Sequence, residues 1–250
     1  MERGLYAAAS GLIAQQTMQD VLAGNIANAS TVGFKQDNAT FQSVHGMAIS
    51  RVMNASGHGP GIGEVGMGVA NGQVATDWQS GPITQTGNAL DASLDNGQFF
   101  AVQTPGGERY TRAGGFHRDG AGALVNANGL KVLDVNGKPI QITGVAPLTL
   151  DTVGNVLSNN QPVARLKIVQ ADPNGLTKEG DTLFVASRPT AVRPAARPGV
   201  RPNTLEQSNV NTVRSMVQLI TVTRGFDMAQ RALLTQDDML KHAANDIGRV

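Results

Sequence analysis

Residue types that commonly perform catalysis or bind metals are few in this sequence, and their spacing forms no known site. The histidines are His45, His58, His117 and His242, and they stand in no HExxH motif or other paired metal-ligand spacing. No serine lies in a GxSxG motif, and the absence of cysteine excludes thiolate nucleophiles, thiolate metal ligands and disulfides. The acids Asp237 and Asp238 fall in a predicted helix, where adjacent side chains point in different directions. We therefore predict neither an enzyme nor a protein that depends on a cofactor or a metal ion.

A GxGxxG pattern occurs at Gly61, Gly63 and Gly66, inside a glycine-rich run that spans residues 57–68. A dinucleotide site needs a strand before this pattern, a helix after it and an acidic residue about 20 positions further on. Here coil-forming Pro, Gly and His residues precede the pattern, and the segment 69–78 alternates like a strand. The context therefore indicates a flexible loop or a hairpin rather than a nucleotide-binding fold.

The elements at the two ends of the chain carry a stripe of residues spaced by seven, which is typical of helices that pack along a shared seam. The N-terminal stripe is Leu5, Leu12, Gln19 and Ile26, with Ala8, Gln15, Leu22 and Ala29 between them. The C-terminal stripe is Leu219, Phe226, Leu233, Leu240 and Ile247, with Thr223, Gln230, Asp237 and Ala244 between them. These stripes predict a helix over about residues 3–29 and a long C-terminal helix, which pair with each other or with neighbouring copies.

Four polar residues interrupt these stripes: Gln15, Gln19, Gln230 and Asp237. One interpretation is that they face solvent on loosely amphipathic helices. The other is that they fix the register and the choice of partner, as buried polar groups do in coiled coils. The first helix is expected to end at Gly33 in a left-handed conformation, with Phe34 folding back onto the last turn. Asn203 or Asn209 is expected to cap the C-terminal helix.

Between the helices the sequence predicts antiparallel β-structure with many tight turns. Turn sequences occur at 95–97, 119–120, 128–129 and 136–137, and strand-sized segments separate them. Phe99, Phe100, Val102, Tyr110 and Phe116 are interpreted as core residues rather than as the lining of a ligand pocket. An Arg-Pro dipeptide then recurs four times from Arg188 to Pro202, and these prolines predict a stiff, extended connector.

The composition gives no case for a nucleic-acid or membrane partner. The net charge is +1, and no aromatic residues interleave with the arginines of the Arg-Pro segment to stack on bases. No run approaches the roughly 20 apolar residues that a membrane-spanning helix needs. Gln15, Gln16 and Asp20 interrupt the apolar N-terminal stretch, so we expect no cleaved signal peptide.

Three stretches, in order along the chain, resemble the axial proteins of the bacterial flagellum, the family of rod and hook subunits. Residues 27–35 (ANASTVGFK) resemble the signature that follows the family's first helix. The segments 87–91 (GNALD), 97–102 (GQFFAV) and 110–114 (YTRAG) are similar to its core-domain motif. Residues 205–211 (LEQSNVN) resemble the start of its C-terminal helix. The chain departs from the family pattern at the glycine-rich run 57–68, at Gln98, where an acid or a glycine is common, and in the Arg-Pro segment.

The resemblance implies an α+β fold in which the N- and C-terminal helices pair as a coiled-coil-like bundle around a central antiparallel β-rich domain. The expected organisation is an N-terminal helix and signature turn (1–35), a glycine-rich flexible connector (36–71), a β-rich core domain (72–187), a Pro/Arg connector (188–204) and a C-terminal helix (205–250). The expected assembly interface combines the two stripes with residues of the resembling stretches: Leu5, Leu12, Leu22, Ile26, Asn28, Gly33, Phe34, Leu205, Val210, Leu219, Phe226, Leu233, Leu240 and Ile247.

The resemblance further implies a structural subunit of the flagellar basal-body rod that polymerises into a hollow, torque-transmitting shaft. Its expected partners are copies of itself, other rod and hook axial proteins and the flagellar export apparatus, and its expected location is the basal body within the cell envelope. A hook-type axial subunit and a β-rich surface-binding module unrelated to motility are the alternatives.

Overall fold

The computed structural model describes residues 2–44, 46–50, 61–144 and 146–247, and the chain divides into two compact units. Unit 1 consists of Met1–Ile26, Asp37–Ala75 and Thr212–Val250. Unit 2 consists of Ala27–Gln36 and Thr76–Asn211. A long helix lies near each end of the chain and antiparallel sheet lies between them in the sequence, so the predicted α+β class is confirmed. None of the helices in the described ranges has the length and apolar character needed to cross a membrane.

Unit 1 contains the first helix, α1 (Glu2–Ala27), which packs against the chain that returns beside it. Leu22 and Ala14 are buried on this helix, and Asn25 is only 1% exposed. The Asn25 amide donates to the Asp37 carbonyl at 2.7 Å and accepts from the Asp37 N–H at 2.9 Å. Asn25 therefore satisfies the backbone of the residue that begins the next strand.

Strands occupy much of the segment that the sequence predicted to be a flexible connector. They are β1 (Asp37–Ser43), β2 (Met47–Ser50), β3 (Gly61–Val65) and β4 (Val69–Thr76). β1 pairs with β4, and β2 pairs antiparallel with β3. The GxGxxG pattern thus begins in a strand, and the rest of its glycine-rich run, residues 57–60, lies outside the described residues. Backbone pairing therefore organises the described strands of this segment despite their glycine content.

The second helix, α2 (Thr212–Ile247), completes unit 1. Leu219, Phe226, Leu233 and Leu240, which the sequence spaces seven apart, are all half-buried. A Cβ atom added at Gly225 would lie 3.3 Å from the Gln15 side-chain nitrogen. The two helices therefore approach each other closely at this glycine.

Unit 2 is built almost entirely of short strands. They are β5 (Ile83–Gln85), β6 (Ala92–Leu94), β7 (Gln98–Thr104), β8 (Gly107–Thr111), β9 (Phe116–Arg118), β10 (Leu124–Asn126), β11 (Lys131–Val132), β12 (Leu148–Leu150), β13 (Asn155–Ser158), β14 (Gln161–Arg165), β15 (Ile168–Ala171), β16 (Leu176–Glu179), β17 (Leu183–Ala186), β18 (Val192–Pro194), β19 (Val200–Pro202) and β20 (Thr204–Glu206). A nine-stranded sheet has the order β16-β17-β8-β7-β11-β10-β9, and β15 joins it by pairing with both β7 and β18. Smaller sheets are β12-β13-β14, β19-β6 and β20-β5.

The core of unit 2 lies on both sides of β7, because alternate residues of this strand pack into different clusters. Phe100 and Val102 are fully buried with Phe116, whose ring meets that of Phe100 edge to face at 4.9 Å between centroids. Phe99 packs on the other side against Phe184 and Trp78. The prediction that these phenylalanines form the core is confirmed.

The Arg-Pro segment is part of unit 2 and does not connect separate bodies. Pro189–Ala191 forms a single 3-10 turn, and the extended parts of the segment form β18 and β19. β18 pairs with β15, and β19 pairs with β6. The segment is therefore fixed to the core by main-chain hydrogen bonds along its length.

Candidate functional site

Three buried charged side chains meet at one cluster in unit 2. Lys35, Arg112 and Glu206 are 2%, 3% and 1% exposed. The Lys35 Nζ lies 2.7 Å from Glu206 Oε1, and the Arg112 Nη2 lies 2.5 Å from Glu206 Oε2. Each oxygen of the carboxylate thus has its own cation, and we refer to these three residues as the ion cluster.

Main-chain carbonyls accept hydrogen bonds from further donors of the cluster. Arg112 Nη1 donates to the carbonyls of Asp95 at 2.8 Å and Gln98 at 2.6 Å, and its Nη2 donates to the Leu94 carbonyl at 3.1 Å. Lys35 Nζ also donates to the Gln79 carbonyl at 2.7 Å. Buried charges are tolerated only when paired and hydrogen-bonded in this way.

Burial dominates the electrostatics of both cations. It lowers the pKa of Lys35 from its usual value, and attraction and a hydrogen bond from Glu206 act in the opposite direction. Burial likewise lowers the pKa of Arg112, against the same two contributions from Glu206. The Glu206 carboxylate is therefore the group that keeps two desolvated cations in the interior.

The turn after α1 is fastened to this cluster through its backbone. Gly33 has a φ of +71°, as its predicted left-handed conformation requires, and its N–H donates to the Glu206 carbonyl at 2.8 Å. A Cβ atom at this position would lie 2.4 Å from the Ala113 nitrogen. Glycine is thus required both for the backbone angle and for close packing against the core.

Phe34 and Asn28 contact residues of the later part of unit 2. Phe34 is 3% exposed, and the Lys178 ammonium lies 3.8 Å from the centre of its ring. The sequence did not predict this cation–π contact, which is formed by a residue far along the chain. The Asn28 amide donates to Asp181 at 3.4 Å.

The segment that precedes α2 is held near the same cluster. The Asn209 Oδ1 accepts from the Gln36 N–H at 2.7 Å, and its Nδ2 donates to the carbonyls of Asp77 and Gln79 at 3.0 and 3.1 Å. The expectation that Asn209 or Asn203 caps the C-terminal helix is wrong. Asn209 joins the signature turn to the core, and Asn203 has a φ of +58° in the turn between β19 and β20.

The structure places the predicted interface residues in two groups. Asn28, Gly33, Phe34, Leu205 and Val210 belong to unit 2, and the others lie on α1 and α2 in unit 1. Leu22 is buried, whereas Leu12, Ile26 and the stripe from Leu219 to Leu240 are half-buried. Leu5 and Ile247 lie within the helices, but their side chains are outside the description.

Sequence reasoning did not identify the ion cluster. Lys35, Arg112 and Glu206 nevertheless lie one in each of the three stretches that resemble the axial family. Each of the three separated motifs therefore contains a charged residue. This pattern is the signal that could have indicated a contact among the three side chains.

We expect the stability of the fold to depend on pH through Tyr110, the penultimate residue of β8. Burial, with the charge and hydrogen bond of Glu108, raises its pKa to about 12. The folded state therefore holds the phenolic proton more tightly than the unfolded state, and stability that is present below pH 10 is lost as the pH rises to about 12. We expect phenolate absorbance in a Tyr6→Phe background to titrate near pH 12, and Glu108→Gln to lower that midpoint. A midpoint near 10 would contradict the effect.

The fold and the ion cluster define a class of protein: an α+β protein in which charged side chains join distant segments of one chain. Three family profiles match in the order of the three segments. Residues 5–35 match "Flagella basal body rod protein", residues 94–158 match "Flagellar hook protein FlgE/F/G D1 domain", and residues 201–246 match "Flagellar basal body rod FlgEFG protein C-terminal".

Similar proteins match over their whole length. The chain is 32% identical to the flagellar basal-body rod protein FlgG of Bacillus subtilis, over 98% of this chain and 99% of that protein. It is 32% identical to the rod protein FlgF of Rhizobium meliloti, over 99% of both chains. It is 28% identical to the flagellar hook-basal body complex protein FlhO of Bacillus subtilis, over 100% of both chains.

The chain belongs to the family of flagellar basal-body rod proteins, which are structural subunits of the rod. This family membership assigns it to the flagellar basal body in the cell envelope. The resemblance found in the sequence is thereby confirmed for the family.

Proposed function

We propose that this chain polymerises through its terminal helices into the hollow, torque-transmitting shaft of the rod. The proposed partners are further copies of the chain, other rod and hook axial proteins and the flagellar export apparatus. The observation that carries the proposal is that α2 has two apolar faces, of which only one is covered within the chain.

The covered face contains Leu219, Phe226, Leu233 and Leu240, which are half-buried. The other face contains Val213, Val217 and Ile220, which are 73%, 59% and 54% exposed. Because successive helical residues are about 100° apart, these three side chains lie roughly opposite the covered stripe. Further exposed apolar side chains on α2 are Met216, Met228, Leu234 and Met239.

An exposed apolar stripe of this length favours association. Fully burying one such side chain contributes about 1.5–3 kcal/mol, so a neighbouring subunit that covers several of them is bound favourably. A long helix with little packing is marginal in water, so we expect α2 to gain protection when a neighbouring subunit covers it.

We further propose that α1 and α2 pair as a coiled-coil-like bundle. The close approach at Gly225 supports this pairing. Atoms of two of the four polar stripe residues, Gln15 Oε1 and Gln19 Nε2, are buried without hydrogen-bond partners in the described part of the chain, whereas Gln230 and Asp237 are exposed. The burial of Gln15 and Gln19 favours the interpretation that they fix the helix register. The exposure of Gln230 and Asp237 favours the interpretation that they face solvent.

The test places two carboxylates on the exposed face of α2. We expect the double variant Val217→Glu/Ile220→Glu to lose polymerisation in sedimentation assays and motility in cells, because burying unpaired carboxylates is costly. Fluorescence of Trp78, the only tryptophan of the chain, will report an intact unit 2.

The matched control is Gln218→Glu/Gln230→Glu, which adds the same charge at exposed polar positions of the same helix. It is expected to polymerise normally. If Val217→Glu/Ile220→Glu also forms polymers of unchanged geometry, α2 does not mediate assembly through this face.

A further inference from the structure

The Arg-Pro segment presents arginines that neither the fold nor the proposed polymerisation uses. Arg201 forms an ion pair with Asp95 at 3.0 Å. Arg188, Arg193 and Arg197 are exposed, and their side chains have no ion pair or hydrogen bond to any residue that the structure describes. Three unpaired guanidinium groups within ten residues form a local concentration of positive charge in a chain whose net charge is only +1.

Gln98 fixes this segment to the core. Its side-chain Nε2 donates to the Arg197 carbonyl at 2.9 Å, and its Oε1 accepts from the Gly199 N–H at 3.0 Å. Gln98 is itself 7% exposed. A glutamate there would have no N–H for the Arg197 carbonyl, and a glycine would have neither group. The two departures from the axial-family pattern, at Gln98 and in the Arg-Pro segment, are therefore in direct contact and form one structural unit.

Main-chain hydrogen bonds hold the segment on both sides of this contact. The Ala195 N–H donates to the Ile168 carbonyl at 3.0 Å, and the Asp95 N–H donates to the Gly199 carbonyl at 3.0 Å. Residues 188–202 thus form a fixed strap across unit 2, which we call the arginine strap. Its backbone is ordered in advance, so a ligand would need to order only the arginine side chains.

A groove of about 660 Å³ runs beside the strap. Arg193 and Arg197 line it together with Gln98, Gln170, Pro194 and Asp172. The acidic member of this lining, Asp172, already accepts a hydrogen bond from the Asn174 N–H at 3.1 Å. The groove therefore combines two free guanidinium groups with the exposed Gln170 amide, which can hydrogen-bond to an extended main chain.

We propose that the arginine strap binds an acidic segment of another polypeptide, whose carboxylates pair with Arg188, Arg193 and Arg197. A guanidinium group can form two parallel hydrogen bonds to the two oxygens of a carboxylate in one plane. Stacking of single-stranded nucleic acid uses aromatic side chains, and insertion into a membrane surface uses adjoining apolar side chains. The strap has no aromatic residue, and the described part of it contains no large exposed apolar residue. This interaction goes beyond polymerisation and does not depend on it.

The test measures binding of a fluorescent oligoglutamate peptide to the full chain at low ionic strength, at a concentration where the chain is monomeric. We expect Arg193→Gln/Arg197→Gln to weaken binding about fivefold or more, as the loss of two charge pairs allows. The control Lys131→Gln/Arg165→Gln removes the same charge from two exposed positions elsewhere in unit 2 and is expected to change binding less than twofold.

Several results would overturn the proposal: no peptide binding by the unmodified chain, equal weakening in the control, or tighter binding to phosphatidylglycerol vesicles or oligothymidylate than to the peptide. A second measurement tests the role of Gln98. We expect Gln98→Leu to raise amide hydrogen exchange at residues 195–200 and to weaken peptide binding, with exchange elsewhere in unit 2 unchanged. Unaltered exchange in the strap would contradict its fixation by Gln98.

Discussion

Replacing Glu206 by glutamine will lower the free energy of unfolding by about 3–5 kcal/mol, because it leaves buried cations without their counter-charge. Lys35 and Arg112 are 2% and 3% exposed, so water cannot replace the lost carboxylate without opening the core. The loss is large against the 5–15 kcal/mol by which domains are typically stable. Replacing both members of a buried ion pair by apolar residues is often nearly neutral in stability. Removing only one member leaves the other charge buried without a partner, and this has the full cost given above.

The measurement is urea unfolding followed by the fluorescence of Trp78. This residue lines a cavity with Lys35 and Arg112 and packs on Phe99 and Phe184, so its emission reports the core around the ion cluster. The control is Glu179→Gln, which removes a carboxylate that is 53% exposed and pairs with Arg109. An exposed pair of this kind contributes at most about 1 kcal/mol. Equal effects of the two variants would show that the cluster has no special role in stability.

Replacing Gly33 by valine will destabilise unit 2 by about 2–5 kcal/mol, because two independent costs add. A branched residue at a φ of +71° is strained by about 1–2 kcal/mol. Its Cβ would also lie 2.4 Å from the Ala113 nitrogen, and such overpacking costs about 1–3 kcal/mol. The turn can relieve the clash only by moving away and breaking the hydrogen bond from the Gly33 N–H to the Glu206 carbonyl.

Gly120→Val is the matched control for this change. Gly120 is an exposed turn residue of unit 2 with no atom within 4 Å of its Cβ position and no positive φ. We expect its replacement to change the unfolding free energy by less than about 1 kcal/mol, as is usual for surface substitutions. Peptide-level hydrogen exchange of Gly33→Val should rise first in residues 28–36. Protection of these residues at the level of the unmodified chain would show that the turn tolerates a side chain.

Local patterns were sufficient to predict the two helices and the central strand of this fold. The seven-residue spacing of Leu219, Phe226 and Leu233 predicted α2, and the paired phenylalanines after Gly97 predicted the central strand β7. Gly33 combined a helix end with a residue that tolerates a positive φ, so its conformation was also predictable. Each of these signals is contained within one continuous stretch of at most 15 residues.

The contacts that create the site have no such local signal. Lys35 and Glu206 are 171 positions apart, and nothing in either segment specifies the other. Asn209 illustrates the same limit, because its position ahead of a helix suggested a cap while its side chain contacts Gln36. Composition is also an incomplete guide: the glycine content of residues 36–71 suggested flexibility, whereas described strands such as β3 lie in this segment.

The 171-residue separation between Lys35 and Glu206 also determines when the ion cluster can form during folding. A polypeptide that emerges from a ribosome or a narrow conduit with its N-terminus first presents Lys35 early and Glu206 only near the end. Until then the cationic side chains of Lys35 and Arg112 remain hydrated, because their counter-ion has not arrived. The N-terminal part of the chain therefore stays flexible during passage. It becomes rigid only when the last fifth of the chain is released and the ion cluster can form.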